Sequence, residues 1–205
     1  MPFYNRLVEQ CIAIKGQVVA VFLTVLSLLV FSLPIQALEF GGNIHQITEH
    51  ETQGYSIFIT DNFSRKSPFY WRLGVSRYED LYVEWNNSNL EFPLDSAEAS
   101  LSYRHQFKTR NPKVRRFSVE YQLGVAASLT ENKFTWPELN EEKFFSETGD
   151  INGFLAISAH YQISSNVSAN IGVKHFPKMS EFGSVSSVFF GFKFSLGSAP
   201  GYYGN

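Results

Sequence analysis

Between Arg116 and Leu129 the side chains alternate without a break. Phe117, Val119, Tyr121, Leu123, Val125, Ala127 and Leu129 share one parity, and Arg116, Ser118, Glu120, Gln122, Gly124, Ala126 and Ser128 share the other. A period of two places the two sets on opposite faces of an extended strand, whereas a helix would scatter both around its circumference. The segment is therefore a strand with one wholly apolar face and one face of small and charged groups.

The pattern recurs along the chain. Phe69, Trp71, Leu73 and Val75 alternate with polar or small neighbours, as do Ala99, Leu101, Tyr103, His105 and Phe107. So do Leu155, Ile157, Ala159, Tyr161 and Ile163, then Val167, Ala169, Ile171 and Val173, and finally Val188, Phe190, Phe192, Phe194 and Leu196. Weaker strands are expected near 38–48 and 54–63. With these the strands number eight, an even count that closes into an antiparallel up-and-down barrel. The expected fold class is all-β: an eight-stranded antiparallel up-and-down transmembrane β-barrel.

Two kinds of barrel fit a two-faced strand, and the position of charge separates them. A water-soluble barrel is apolar inside and polar outside. Here Arg72, Arg104, Arg116, Glu120, Lys174 and Lys193 all fall on the small-residue face. Lipid rejects such charge near mid-depth, whereas a narrow lumen can hold cations and carboxylates that satisfy one another. These six residues are expected to form an ion network that plugs the lumen. Tyr55, Trp71, Tyr103, Phe107, Tyr121 and Tyr161 then face lipid as interfacial aromatics.

Connection lengths point the same way. The longest, 79–96 and 130–149, leave at one end; the other end carries only the turns 64–68, 108–114 and 164–166. Long loops outside and short turns at the periplasmic rim are the asymmetry of an outer-membrane barrel. The loop 79–96 holds Glu79, Asp80, Glu84, Glu91 and Asp95 without Lys or Arg, and the short turns hold Arg65, Lys66, Lys108, Arg110 and Lys113 without an acid. Trp85, Phe92, Phe134, Trp136, Phe144 and Phe145 lie among the acids of the long loops, so these are the expected surfaces for an extracellular partner, or else pack on one another above the barrel. The formal net charge of −2 supplies no field for nucleic acid.

Residues 1–37 differ from the rest. An uncharged run from Val18 to Leu33 follows a stretch holding Arg6 and Lys15, and Pro34 and Ile35-Gln36-Ala37 come after it. That is the order of a secretory signal, and the run is shorter than the roughly 20 residues a spanning helix needs. The sole cysteine, Cys11, would leave with it. The expected organisation is a signal peptide at 1–37, the barrel at 38–196 and a short tail at 197–205.

At this point the chain resembles the small eight-stranded outer-membrane β-barrels of Gram-negative bacteria. The signal segment carries the resemblance together with Gly191, Phe194 and Leu196, which match the assembly signal of the last strand of such proteins: a glycine followed at three and five residues by aromatic or apolar side chains. Phe189 departs from that pattern, which favours a polar residue there, and the chain continues past Leu196. The resemblance implies export to the outer membrane, insertion by its assembly machinery, contact with its lipid and lipopolysaccharide, and no cofactor.

One constellation carries chemistry. His175 ends the seventh strand and precedes a loop holding Ser180 and Glu181, the groups of a Ser-His-acid hydrolase. The layout, with Leu123-Gly124-Val125-Ala126-Ala127, is similar to that of outer-membrane lipid A deacylases. That family places its serine two residues after the histidine, where this chain has Pro177. His45, His50, His105 and His160 lack metal-site spacing, so no metal is expected. The expected role is structural or surface interaction, with a lipid A deacylase-like hydrolase and a small-solute binder or channel as alternatives.

Overall fold

The computed structural model describes residues 38–48, 52–64, 67–85, 88–136 and 141–196. The segments expected to be the signal (1–37) and the tail (197–205) lie outside the described residues. Ten strands follow in order: β1 (Leu38–Ile47), β2 (Gln53–Asn62), β3 (Phe69–Trp85), β4 (Ser88–Gln106), β5 (Phe117–Ser128), β6 (Asn132–Trp136), β7 (Glu141–Ser146), β8 (Ile151–Gln162), β9 (Val167–Phe176) and β10 (Val185–Leu196). Eight of them close a barrel in the order β1-β10-β9-β8-β5-β4-β3-β2, every pair antiparallel, while β6 and β7 form a separate hairpin.

The two faces divide as the alternation requires. Along β5, Phe117, Tyr121, Leu123 and Val125 are exposed on the outer wall, and Ser118, Glu120, Ala126 and Ser128 are buried in the lumen. The same holds on β10, where Val188, Phe190, Phe192, Phe194 and Leu196 point out and Ser187, Phe189 and Lys193 point in. Trp71 keeps the outward parity of Phe69 and Val75 but is buried.

The long connections are not simple loops. Strands β3 and β4 run on as one ladder through most of 79–96, with a register shift between Tyr78 and Leu81 where Glu79 and Asp80 face Pro93. Above it, Leu81–Trp85 pairs with Ser88–Phe92 and carries the hairpin roughly 15 Å beyond the barrel. Ladder hydrogen bonds need no apolar face once the strands leave the wall. That is why acid-rich sequence reads as loop yet pairs as strand. Segment 130–149 likewise contains the β6–β7 hairpin. Asn132 tethers that hairpin by donating from Nδ2 to the Pro93 carbonyl at 2.8 Å and the Ser146 hydroxyl at 3.0 Å.

Closure depends on a close approach at the β1–β10 seam. A Cβ on Gly191 would lie 2.0 Å from the Gly42 carbonyl oxygen and 2.2 Å from Asn43 Oδ1. That oxygen accepts a hydrogen bond from Asn170 Nδ2 at 2.8 Å, so a methyl at 191 would displace both the seam and a lumen contact. The glycine matched to the assembly signal is thus demanded by the closed barrel itself. Gly191→Ala is expected to cost about 1–3 kcal/mol through overpacking. In urea titrations of refolded protein the midpoint of the heat-modifiable folded band should fall; an unchanged midpoint would contradict this packing.

Candidate functional site

The lumen is the site that the strand parities build. Glu120, on β5 and 1% exposed, lies at its centre. Arg72 on β3 donates to Glu120 Oε1 at 2.6 Å, and Arg104 Nε on β4 and Lys193 Nζ on β10 each donate to Oε2 at 3.0 Å. His160 Nε2 stands 3.6 Å from the same oxygen and shares a hydrogen bond with Ser158 at 2.8 Å. Arg104 also grips Glu39 of β1 through both terminal nitrogens, at 2.9 and 2.8 Å. One guanidinium therefore ties β1 to β5 across the barrel.

Above this centre Lys174 of β9 donates to Glu98 of β4, which also accepts from Ser76. The cations rest on rings as well. Arg72 Cζ lies 4.1 Å from the Phe58 ring centroid, Arg104 Cζ 4.0 Å from that of Tyr70, and Lys174 Nζ 4.2 Å from that of Phe154. In a desolvated setting such contacts are worth about 2 kcal/mol each. Four cations thus face Glu39, Glu98 and Glu120, and carboxylates and aromatic faces share the work of replacing water.

Up β3, the lumen changes character. Tyr70 meets Arg104, Arg72 meets Glu120, Ser76 meets Glu98, and Tyr78 meets Phe176 edge-on with centroids 6.3 Å apart. At the hairpin end, Tyr78, Leu81, Leu94, Phe154, Phe176, Met179 and Val185 are buried together as an apolar cap. Two cavities within the lumen, one beside Arg72, Glu98 and Lys174 and one beside Glu39, Arg104 and His160, hold about 20 Å³ each. Each has room for about one water.

Five of the six residues expected in the lumen network meet there, and one does not. Arg116 lies exposed on a 3-10 turn, Val114–Arg116, outside the wall. The ladder starts one residue later, at Phe117, so the alternation overran the strand end. Glu39 and Glu98 belong to the network and were not singled out in the sequence. Glu39 opens a weakly patterned strand, and Glu98 stands beside the acid-rich stretch that reads as loop, although its parity matches Ser100 and Arg104.

The hydrolase trio does not assemble. His175 Nδ1 bonds with Ser186 Oγ of β10 at 2.9 Å, its cross-strand partner. Ser180 instead donates from Oγ to Asp150 Oδ2 at 3.2 Å, and its backbone N–H donates to Asn152 Oδ1 at 2.7 Å, which holds the residue at φ 49°. Ser180 and Glu181 border an open cleft of about 590 Å³ at the hairpin rim, with Asp150 and Lys178. Glu181 is exposed and makes no hydrogen bond with His175 or Ser180. A histidine bonded to one serine and separated from the other lacks the relay from acid to base to nucleophile.

Four of the loop aromatics, Trp85, Phe92, Phe134 and Phe145, pack on one another, whereas Phe144 is exposed. Phe145 of β7 is 1% exposed, stacked on Phe92 with centroids 5.1 Å apart and edge-on to Trp85 at 6.2 Å, and Trp85 also meets Phe134. Phe182 packs beside both Phe92 and Phe145. The hairpins thus roof the apolar cap.

No family model matches the chain, and no curated protein matches its sequence. Solved structures do match. The N-terminal β-barrel domain of Pseudomonas aeruginosa OprF aligns with a TM-score of 0.54 and 11% identity over 78% of this chain and 98% of that one. De novo designed transmembrane β-barrels align at 0.50 and 11% identity over 80% and 98%. Ail of Yersinia pestis, solved with the heparin analogue sucrose octasulfate, aligns at 0.46 and 10% identity over 78% and 97%.

Removing the Glu120 carboxylate would leave Arg72, Arg104 and Lys193 facing one another in a buried lumen. Glu120→Ala is expected to lose roughly 3–5 kcal/mol of stability, read as an earlier urea midpoint in detergent or bilayer. A midpoint within experimental error of the wild type would show that the network carries no stability. With a closed antiparallel ladder, an apolar outer wall and a charged interior, the chain has the fold of the small eight-stranded outer-membrane β-barrels.

Proposed function

We propose that the protein is an integral outer-membrane barrel that conducts no solute and presents an acidic extracellular surface to a partner. The observation that carries this reading is the lumen centred on Glu120, where charged and aromatic side chains leave room for about one water in each of two cavities. The apolar cap around Tyr78, Phe154 and Phe176 supports it, because it adds a dry layer above the charged one.

The orientation follows from the ends. The short turns and the strand ends at Leu38 and Leu196 share one rim, which in this reading faces the periplasm, and the two hairpins stand outside. Glu79, Asp80, Glu84 and Glu91 are exposed on the β3–β4 hairpin. A basic partner fits that surface, whereas the anionic sugars of lipopolysaccharide would need bridging cations. Trp85, Phe92, Phe134 and Phe145 act as the roof and stiffen the hairpins, and Phe144 stays exposed beside the acids. Export by the segment 1–37 and insertion through the signal at Gly191, Phe194 and Leu196 complete the proposal.

Purified protein reconstituted in planar lipid bilayers should give no stable conductance steps at any holding voltage that the membrane survives. Long-lived steps of porin size from the wild-type protein would overturn the filled-lumen reading. In cells, the protein should fractionate with the outer membrane and shift its gel mobility on boiling; a soluble periplasmic protein without that shift would overturn the location.

A further inference from the structure

The turn joining β4 to β5 is densely basic. Lys108, Arg110, Lys113, Arg115 and Arg116 are all exposed, and no acid occurs from Phe107 to Val119. None of the five forms an ion pair with a described acid. The turn is nevertheless folded. Asn111 Oδ1 accepts from the Lys113 N–H at 3.0 Å, the Asn111 carbonyl accepts from the Arg115 N–H at 3.1 Å, and the Lys113 carbonyl accepts from the Arg116 N–H at 3.3 Å. Its cations are thus presented from a short, bonded scaffold.

Apolar groups flank them. Phe107, Val114 and Phe117 are exposed at 40, 40 and 44%, Phe107 edge-on to His105 and Phe117 against Tyr161 with centroids 4.8 Å apart. Aromatic residues at the margin of an apolar wall mark the depth of the lipid headgroups. Cations at that depth reach phosphates, and each Lys or Arg near an anionic surface adds to attraction that falls off within a Debye length.

We propose that this turn is a binding site for the headgroups of anionic phospholipids in the leaflet on its side of the membrane, which is the periplasmic leaflet if the orientation given above holds. The ligand chemistry is a phosphate diester with uncompensated negative charge, so a zwitterionic headgroup of the same chain length is the weaker ligand. The site also explains Arg116: its position just before the ladder hands it from the lumen to the membrane surface.

The test uses the refolded full chain in micelles offered equal amounts of phosphatidylglycerol and phosphatidylcholine with matched chains, and counts retained lipids by native mass spectrometry. The wild type should retain phosphatidylglycerol about tenfold over phosphatidylcholine at low salt, and the preference should shrink at high salt. The variant with Lys108, Arg110, Lys113, Arg115 and Arg116 each changed to Gln should keep the heat-modifiable fold and lose the preference. Equal retention by the wild type, or a preference unchanged in the folded variant, would overturn the site. Wild-type binding to isolated peptidoglycan that the variant loses, with lipid preference unaltered, would also overturn it in favour of a wall polymer. Because the leaflet rests on the proposed orientation, Asn111→Cys in a Cys11→Ser background is labelled with a membrane-impermeant maleimide. With the maleimide coupled to a polymer too large for porins, labelling of intact cells would overturn the orientation, whereas exclusion of the label combined with no lipid preference would overturn the lipid site alone.

Discussion

Four cations buried in a tube narrow enough to be filled by side chains must be neutralised from within, and Glu120 is where three of them converge. The outer wall faces hydrocarbon, which can supply neither water nor countercharge, so every charged strand residue near mid-depth has to point inward and find a partner. Arg104 shows how tightly this binds the fold. Its guanidinium spans Glu39 on the first strand and Glu120 on the fifth while lying over Tyr70 on the third. Strands far apart in sequence are held in one register by a single planar group, and closing the β1–β10 seam brings Lys193 to the same carboxylate. A one-residue slip would turn these charges into lipid, which makes the register unusually costly to change.

Parity made most of this legible from the sequence, and the places where it failed have physical reasons. Strand β5 alternates cleanly because both of its neighbours are barrel strands and one face lies wholly in lipid. The β3–β4 hairpin does not alternate this way, because beyond the barrel no lipid selects an apolar face: Glu79 and Asp80 fall in the register shift, and Glu84 and Glu91 are tolerated on paired strands. At Arg116 the alternation continues one step past the ladder, which starts at Phe117. Glu98, the partner of Lys174, is obscured in the sequence because it adjoins that acidic stretch. The apolar cap was hidden for another reason. Tyr78, Phe154 and Phe176 have inward parity, and an apolar residue on the polar face looks like an exception to the pattern until the barrel brings these exceptions to one end.

The lumen therefore has two layers with different roles. Ion pairs and cation–π contacts fill the half nearer the short turns, and packed rings and aliphatics close the half beneath the hairpins. The rims differ in the same direction, with exposed acids on the hairpins and exposed bases on the β4–β5 turn. The lumen keeps two small cavities, each with room for about one water, and the exposed charge lies at the rims. For the trio His175, Ser180 and Glu181, sequence proximity put the groups in one loop region, but strand pairing gave His175 to Ser186 and the rim gave Ser180 to Asp150.

The chain is an inside-out barrel, with Tyr121, Leu123 and Val125 on the outer wall and Glu120, Gln122 and Gly124 facing the lumen. Nitroxide labels placed one at a time from Val119 to Ala126 in bilayer-reconstituted protein test this arrangement by their collision rates with oxygen, which partitions into hydrocarbon. A period of two with maxima at the odd-numbered positions is expected. Maxima at the even-numbered positions, or no period at all, would contradict it.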